Sequence, residues 1–187
     1  NISNTLVEGV IMADWNQIFD AGDVDGGLVN VVNEIPMGSK LKIEWNREKK
    51  IFELDRVEPG IFAKPCNYGF IPQTLDEDGD ELDALLIVDD SIPTGVKVNA
   101  RVVGIMNFED DGEMDHKVVC VAEDDRHWGE DIKSIEDVSD TWKKQVEFHF
   151  NHYKDLKKAG TTKVLGWGGI EEAKKRIAES IERWNTK

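Results

Sequence analysis

Six segments with the residue pattern of β-strands, most of them joined by short turns, precede two segments with helical periodicity. The clearest strand is 40–46, where Leu41, Ile43 and Trp45 alternate with polar residues at the period of a half-buried strand. A turn after it predicts that 51–57 returns as its hairpin partner. The predicted strands are 28–35, 40–46, 51–57, 84–88, 96–108, with a bend at Gly104, and 115–122.

The helical segments occupy the end of the chain. Ser139 is a good N-cap, and the apolar stripe that follows it runs from Trp142 to Leu156 before Gly160. A second stripe, from Ile170 to Trp184, follows a glycine-rich stretch. Strands followed by helices favour a small barrel or rolled antiparallel sheet with helices packed against it. Alternating βα units, GxGxxG and the P-loop are absent, which argues against a nucleotide-binding α/β fold.

Three carboxylates lie within six residues at the centre of the chain, at Asp78, Asp80 and Asp83. Gly79 allows a sharp turn between the first two, whose Cα atoms are at most about 7 Å apart. If all three converge, each pair costs about 4 kcal/mol at about 4 Å and an effective dielectric of about 20. Hard divalent cations remove that cost, since they take oxygen ligands. A solvated acidic loop is the alternative.

The amino-acid composition argues against some classes of binding partner and some cellular locations. The net charge is −15, from 38 acidic residues against 23 Lys and Arg, which opposes nucleic-acid binding. The longest aliphatic run is 84–88, too short for a membrane helix, and residues 1–4 lack the features of a secretion signal. Cys66 and Cys120 form no motif for zinc or for a disulfide framework, so we expect reduced thiols in the cytoplasm.

Acidic and basic residues accompany one another on the predicted strands. Lys42 precedes Glu44 by two residues, Arg56 follows an acid, and Lys117 shares a strand face with Asp115. Each pair could be a solvated surface pair. If they converge, the carboxylates hold hard cations while Lys and Arg hold an anion against them, as phosphoryl-transfer sites require.

These features together resemble family I soluble inorganic pyrophosphatase. Seven blocks carry the resemblance in order: Glu34-Ile35-Pro36, Lys42-Ile43-Glu44, Asp55-Arg56, Pro65-Cys66-Asn67-Tyr68-Gly69, Asp78-Gly79-Asp80-Glu81-Leu82-Asp83, 110–117 and His152-Tyr153-Lys154-Asp155-Leu156. The resemblance covers about residues 28 to 170. It implies a mainly β fold, a five-stranded, OB-like closed barrel with two α-helices in the C-terminal half. The whole chain, 1–187, would then be one domain, with 1–27 as an extension of uncertain structure.

The resemblance also implies roles for individual residues. Asp78, Asp83 and Asp115 would bind tight metal ions, while Asp110 and Glu34 would bind, directly or through water, metal ions that arrive with substrate. Asp80 would orient or deprotonate the attacking water. The implied phosphate-binding residues are Lys42, Arg56, Lys117, Tyr153 and Lys154, supported by Glu44 and Tyr68. Two positions depart from the bacterial pattern, Lys64 where Tyr is common and Asp111 where Glu is common. Lys64 would either add a phosphate contact or be a solvated side chain.

The implied reaction is hydrolysis of inorganic pyrophosphate to two orthophosphates by direct attack of a metal-activated water, with no phosphoenzyme. It would need several Mg²⁺ ions per site, with Mn²⁺ or other divalent ions as substitutes. The expected partners are pyrophosphate and phosphate, with neither nucleic acid nor membrane. Because prokaryotic members of this family are commonly homohexamers, the resemblance also implies a homohexamer.

Two other functions fit parts of the sequence. Asp78-Gly79-Asp80 has the form of an aspartyl-nucleophile phosphatase motif, although that motif should follow an apolar parallel strand and 72–77 is loop-like. An OB-fold binding module or divalent-ion buffer would use the fold without turnover, and it leaves the paired Lys and Arg residues without a role. A nucleophilic serine has no GxSxG context.

Overall fold

The computed structural model describes residues 13–187. Its strands are β1 (Leu28–Ile35), β2 (Leu41–Asn46), β3 (Ile51–Val57), β4 (Asn67–Phe70), β5 (Asp83–Ile87), β6 (Lys97–Asp110), β7 (Glu113–Met114), β8 (Lys117–Ala122) and β9 (Thr162–Gly168). Its α-helices are α1 (Trp15–Ile18), α2 (Asp140–His152), α3 (Asp155–Lys158) and α4 (Ile170–Asn185), and short 3₁₀ turns lie at Gly60–Phe62 and Ile135–Asp137.

Five strands close into a barrel in the order β1-β4-β5-β8-β6, with β6 returning to pair with β1. The expected five-stranded closed barrel is therefore confirmed. All of its pairings are antiparallel except the parallel pair β5 and β8. The long strand β6 bears a register shift between Val102 and Gly104, near the predicted bend, and also pairs with β7 and β9. A Cβ on Gly104 would lie 2.7 Å from the Gly168 carbonyl oxygen, so glycine permits this close approach.

Both faces of the barrel strands are buried. One face, which includes Leu86 and Cys120, packs against Ala173 and Ile177 of α4. The other face, with Leu85 as a member, packs against residues of α2. Burial on both faces explains why 84–88 reads as a continuous apolar run rather than as an alternating one.

The predicted hairpin is confirmed as a separate two-stranded antiparallel sheet of β2 and β3. Trp45 of β2 is its buried anchor, stacked on Phe70 of β4 and tilted against Phe52 of β3. Trp15 of α1 joins the same aromatic cluster. The hairpin is thereby packed onto the barrel beside β1 and β4.

Three local predictions were wrong. The segment 58–74, which contains no predicted strand, includes barrel strand β4, in which Gly69 is pressed against the backbone of β1 where a Cβ would clash. The strand β9 lies just before the last helix, in a stretch expected only as glycine-rich chain. The first long helix ends at His152, and Leu156 belongs to the separate short helix α3 and is exposed.

No helix in residues 13–187 combines the length and apolar composition needed to cross a membrane. The expectation drawn from residues 1–4 lies outside the described range, as do residues 1–12 of the expected extension 1–27.

Candidate active site

A cleft of about 360 Å³ lies between the barrel, the β2–β3 hairpin and the C-terminal end of α2. All thirteen residues that the sequence assigned to the site line it, in spite of lying up to 120 positions apart: Glu34, Lys42, Glu44, Arg56, Tyr68, Asp78, Asp80, Asp83, Asp110, Asp115, Lys117, Tyr153 and Lys154. Their convergence is observed, and the role of each remains a prediction.

The parallel pairing of β5 and β8 builds the centre of the cleft. Its register sets Asp83 beside Lys117 at the first residue of each strand. The Lys117 ammonium donates hydrogen bonds of 2.7 Å to Asp83 Oδ2 and 2.7 Å to Asp115 Oδ1. Burial alone would lower the pKa of Lys117, but the two carboxylates outweigh it, so the pKa lies above its ordinary value.

Tyr68 of β4 completes this centre by donating a short hydrogen bond from its hydroxyl to Asp83 Oδ2. Burial, followed by the charges of Asp83 and Asp115, raises the pKa of the phenol well above its ordinary value. Tyr68 therefore stays a neutral donor at neutral pH, and Asp83 is the acceptor shared by a phenol and an ammonium.

The carboxylates of the cleft repel one another. Burial and then Asp83 raise the pKa of Glu34 well above its ordinary value, although the Trp45 N–H donates to Glu34 Oε1 at 2.6 Å. Burial, together with the charges of Asp115, Asp83 and Asp80, raises the pKa of Asp78 to about 7, against the opposing hydrogen bond from the Asp80 N–H. Burial also raises the pKa of Asp115, in spite of Lys117. Burial is the largest cause of each of these raised pKa values, and the neighbouring carboxylates add to it, so a cation bound among these acids would favour their charged forms.

The donor set suits a hard cation, because every candidate ligand is a carboxylate oxygen. Within residues 13–187, however, no three acidic, histidine or cysteine side chains lie close enough together to hold one ion. Asp83 and Asp115 are turned towards Lys117, and Asp110 is turned towards Lys154. The residue types therefore fit a divalent metal site, while the carboxylates of Asp83, Asp115 and Asp110 are hydrogen-bonded to lysines in this structure.

The other basic side chains of the cleft, those of Lys154, Lys42 and Arg56, are also paired with acidic residues. Lys154 Nζ lies 2.6 Å from Asp110 Oδ1, and the Tyr153 hydroxyl donates to Asp110 at 3.3 Å. On the hairpin, Lys42 and Arg56 face each other across β2 and β3. Lys42 Nζ lies 2.5 Å from Glu44 Oε1, and Arg56 pairs with Asp55 and Glu58.

Sequence reasoning gave no role to Glu81, which also lines the cleft. Its carboxylate accepts a hydrogen bond of 2.8 Å from the Asn16 amide and lies 3.1 Å from Arg47 Nη1. Arg47 also donates to the Gly79 carbonyl. These contacts fasten the acidic loop to α1 and the hairpin. The local sequence around Asn16 does not predict its contact with Glu81, because the two residues are 65 positions apart in the chain.

His116 is buried away from the cleft, where it bonds to Asp76 through its backbone N–H at 2.7 Å and its Nδ1 at 3.2 Å. Cys66 is also buried, and burial raises the pKa of its thiol to about 12, which excludes a thiolate nucleophile.

The strand that precedes the acidic loop, β4, is antiparallel to both of its neighbours, which opposes the aspartyl-phosphatase alternative.

Comparison with known proteins gives a consistent result. The family model described as inorganic pyrophosphatase matches residues 31–185. The inorganic pyrophosphatase of Neisseria meningitidis serogroup A is 67% identical over 174 residues, 93% of this chain and 98% of the relative, and that of Haemophilus influenzae is 63% identical over 93% and 99%. A crystal structure of an inorganic pyrophosphatase from Neisseria gonorrhoeae superposes with a TM-score of 0.89 at 67% identity, covering 91% of this chain and 98% of that one. The Thermus thermophilus inorganic pyrophosphatase has a TM-score of 0.83 at 37% identity, covering 89% and 97%.

Proposed function

This chain belongs to the inorganic pyrophosphatase family, and from that premise we propose that the cleft beside its barrel is where it binds and hydrolyses inorganic pyrophosphate. The chain is an inorganic diphosphatase, a hydrolase that converts pyrophosphate to two orthophosphates. The observation that carries the assignment to this cleft is the Asp83–Lys117–Asp115 centre, surrounded by further acids and cations. Such a mixture suits a substrate that is a polyanion and is bound together with cations.

Family membership implies dependence on a divalent metal. We propose Mg²⁺, several ions per site, with Mn²⁺ as a substitute, and we assign Asp78, Asp83 and Asp115 to the tightly bound ions. Asp110 and Glu34 would hold ions that enter with substrate. When bound, the ions would neutralise charge on the phosphates and lower the pKa of a water molecule.

The protein's own residues bind and orient the reactants. Lys42, Arg56, Lys117, Tyr153 and Lys154 bind the phosphate oxygens, and each carries at least one N–H or O–H donor into the cleft. Glu44 and Tyr68 support them, Glu44 through its ion pair with Lys42 and Tyr68 through its hydrogen bond to Asp83.

We assign the proton transfer to Asp80, whose exposed carboxylate lines the cleft. Water attacks one phosphorus in line with the bridging oxygen, the bond from that phosphorus to the bridging oxygen breaks, and the second phosphate leaves with the bridging oxygen. Asp80 accepts a proton of the attacking water. That proton is then passed from Asp80 to the departing phosphate, which restores the Asp80 carboxylate. No covalent phosphoenzyme forms, so pyrophosphate and one water become two hydrogen phosphate ions.

One assay tests this function. Phosphate release is measured from pyrophosphate and from a simple phosphomonoester, first with Mg²⁺ and then with excess EDTA. We expect turnover of pyrophosphate with Mg²⁺, loss of turnover with EDTA, and no comparable turnover of the monoester. Equal turnover of the monoester, or a trapped phosphoaspartate, would favour the aspartyl phosphatase; binding without turnover would favour the OB-fold module.

We further propose a homo-oligomer, a hexamer, in the cytoplasm. Ile61 and Phe148 support association, because they are 78% and 64% exposed and border one surface depression. Cys66 and Cys120 are both free thiols, as a reducing compartment maintains them. Sedimentation velocity measures the subunit number, and a purely monomeric boundary would contradict the hexamer.

A further inference from the structure

Lys64 also lines the cleft, on the segment between the 3₁₀ turn at Gly60–Phe62 and β4. The cleft's other lysines and its arginine each have a carboxylate within ion-pair distance: Lys42 with Glu44, Arg56 with Glu58, Lys117 with Asp83, and Lys154 with Asp110. Among the described residues, the Lys64 ammonium makes neither an ion pair nor a hydrogen bond to a side chain. Lys64 is thus a cation in the cleft without an acid partner.

Three aromatic rings surround the Lys64 ammonium. Its Nζ lies 4.5 Å from the centroid of Tyr68, 5.1 Å from that of Phe150 and 5.4 Å from that of Tyr153. The faces of aromatic rings attract cations at these distances. The rings therefore fix the ammonium between β4 and the end of α2, and they leave its three N–H groups without an acceptor of full negative charge.

Lys117 shares two of these rings. Its Nζ lies 5.4 Å from the Tyr68 centroid and 5.6 Å from the Phe150 centroid. Burial, and then the charges of Lys117 and Lys42, lower the pKa of Lys64 to about 8, so its amine is still mostly protonated at neutral pH. The charges of Lys117 and Lys42 thus act unfavourably on the Lys64 ammonium, which, unlike those two, has no carboxylate partner, so an anion placed beside Lys64 would relieve this repulsion.

The backbone of Lys64 is held in place. Its N–H donates to the Ser39 carbonyl at 2.9 Å, and its carbonyl accepts from the Gly38 N–H at 2.9 Å. Both partners lie in the turn that follows β1, so these hydrogen bonds fix the backbone position from which the Lys64 side chain extends. A fixed cation loses little entropy when it binds an anion.

We propose that Lys64 is a further substrate-binding residue, whose aromatic-held ammonium donates directly to a phosphate oxygen of pyrophosphate beside Lys117. This inference rests on the proposed function and adds to it one contact that requires no carboxylate to be displaced. Lys117, by contrast, is bound to Asp83 and Asp115 before substrate arrives.

The test compares Lys64→Met, which keeps the stem and removes the charge, with Lys64→Arg, which keeps the charge. Lys163→Met is the control, since Lys163 is exposed on β9 and does not line the cleft. For each protein, kcat and KM for pyrophosphate are measured at saturating Mg²⁺. The dissociation constant of imidodiphosphate, which replaces the bridging oxygen by nitrogen, is measured by calorimetry.

We expect Lys64→Met to raise both KM and the imidodiphosphate dissociation constant by about 10-fold or more, the effect of losing one hydrogen bond between charged groups. Lys64→Arg should retain most of the affinity, and Lys163→Met should equal the wild type. Values for Lys64→Met within twofold of the wild type would overturn the inference. If thermal unfolding shows that Lys64→Met is unstable, Lys64→Gln is judged by the same criterion.

Failure of the function is distinguishable from failure of this inference. Absence of metal-dependent pyrophosphate turnover in the wild type would remove the proposed function. Normal wild-type turnover with unchanged affinity in the uncharged Lys64 variants would remove only the role of Lys64.

Discussion

The carboxylates of Asp83 and Asp80 differ in the hydrogen bonds and ion pairs that they make. Asp83 accepts hydrogen bonds from both Tyr68 and Lys117. The carboxylate of Asp80, in contrast, makes no ion pair or hydrogen bond to any side chain in residues 13–187, and it is exposed at the cleft. A carboxylate without a fixed partner is free to accept a proton from water, whereas Asp83 is part of a network.

Asp80→Asn should therefore depress turnover and leave metal binding intact. The amide has the size of the carboxylate but cannot accept a proton as a base, and removing a general base lowers kcat by about 10² to 10⁴-fold. The measurement is kcat for pyrophosphate beside the Mg²⁺ dissociation constant from calorimetry. Full activity in this variant would remove Asp80 from the role of base.

Several residue-level features could be predicted because they are local. The sequence places Asp115 and Lys117 close together, two positions apart, and the structure joins them by a 2.7 Å hydrogen bond, although Asp115 precedes β8 and does not lie on a strand face. The positions matched to a family pattern also converge in one cleft. The contact of Asn16 with Glu81 could not be predicted, because it depends on how two distant segments pack.

At the scale of elements, α2 joins the cleft to the core. Its Val146 and Phe150 pack on the barrel, while Tyr153 at its C-cap reaches the cleft. His149 on the same helix is buried against Phe62, Phe150 and Tyr153. Burial, and then the charge of Lys64, lower the pKa of His149 to about 3.

The fold should consequently lose stability as the pH falls below about 6.5, the ordinary pKa of histidine. Between about 3 and 6.5 the unfolded chain binds a proton at His149 that the folded chain does not, so stability rises with pH across this window and is fully present above it. Denaturant unfolding at several pH values and fixed protein concentration measures this.

The matched variant is His149→Gln, which removes the titration. Near pH 5 the wild type should show a slope of unfolding free energy against pH about 1.4 kcal/mol per pH unit steeper than the variant does, the value for one proton. Equal slopes in the two proteins would show that His149 is protonated in the folded state as readily as in the unfolded state.

Elements with a strong local signal were predictable, and those stabilised by distant partners were not. The Ser139 N-cap accepts from the Trp142 N–H at 3.1 Å, as its sequence suggests. Strand β4 is four residues long and contains Gly69, which is an unfavourable strand residue until β1 lies against it. Strand β9 is likewise fixed by β6, more than 50 positions earlier.

At the scale of the whole molecule, the barrel and hairpin convert scattered residues into one site. Glu34, Asp83 and Lys154 belong to three separate regions of the chain, yet all line one cleft. The two-faced burial of the barrel strands holds their ends in register, so that the acids are kept together against their repulsion. The fold class was predictable from strand order and family pattern, as were the local pairs Lys42–Glu44 and Lys117–Asp115, whereas the long-range pairs Lys117–Asp83 and Lys154–Asp110 required the structure.

The central claim is that this cleft performs the hydrolysis, and Asp83→Asn tests it most directly. The substitution keeps the size of the side chain at the point where Tyr68 and Lys117 meet, but removes the charge. Asp90→Asn, on an exposed loop outside the cleft, is the matched control. With Mg²⁺, we predict that Asp83→Asn loses pyrophosphate turnover by about 100-fold or more, the size of loss that follows removal of one group contributing to transition-state stabilisation, while the control keeps wild-type turnover. A folded Asp83→Asn protein with wild-type kcat and KM would contradict the account.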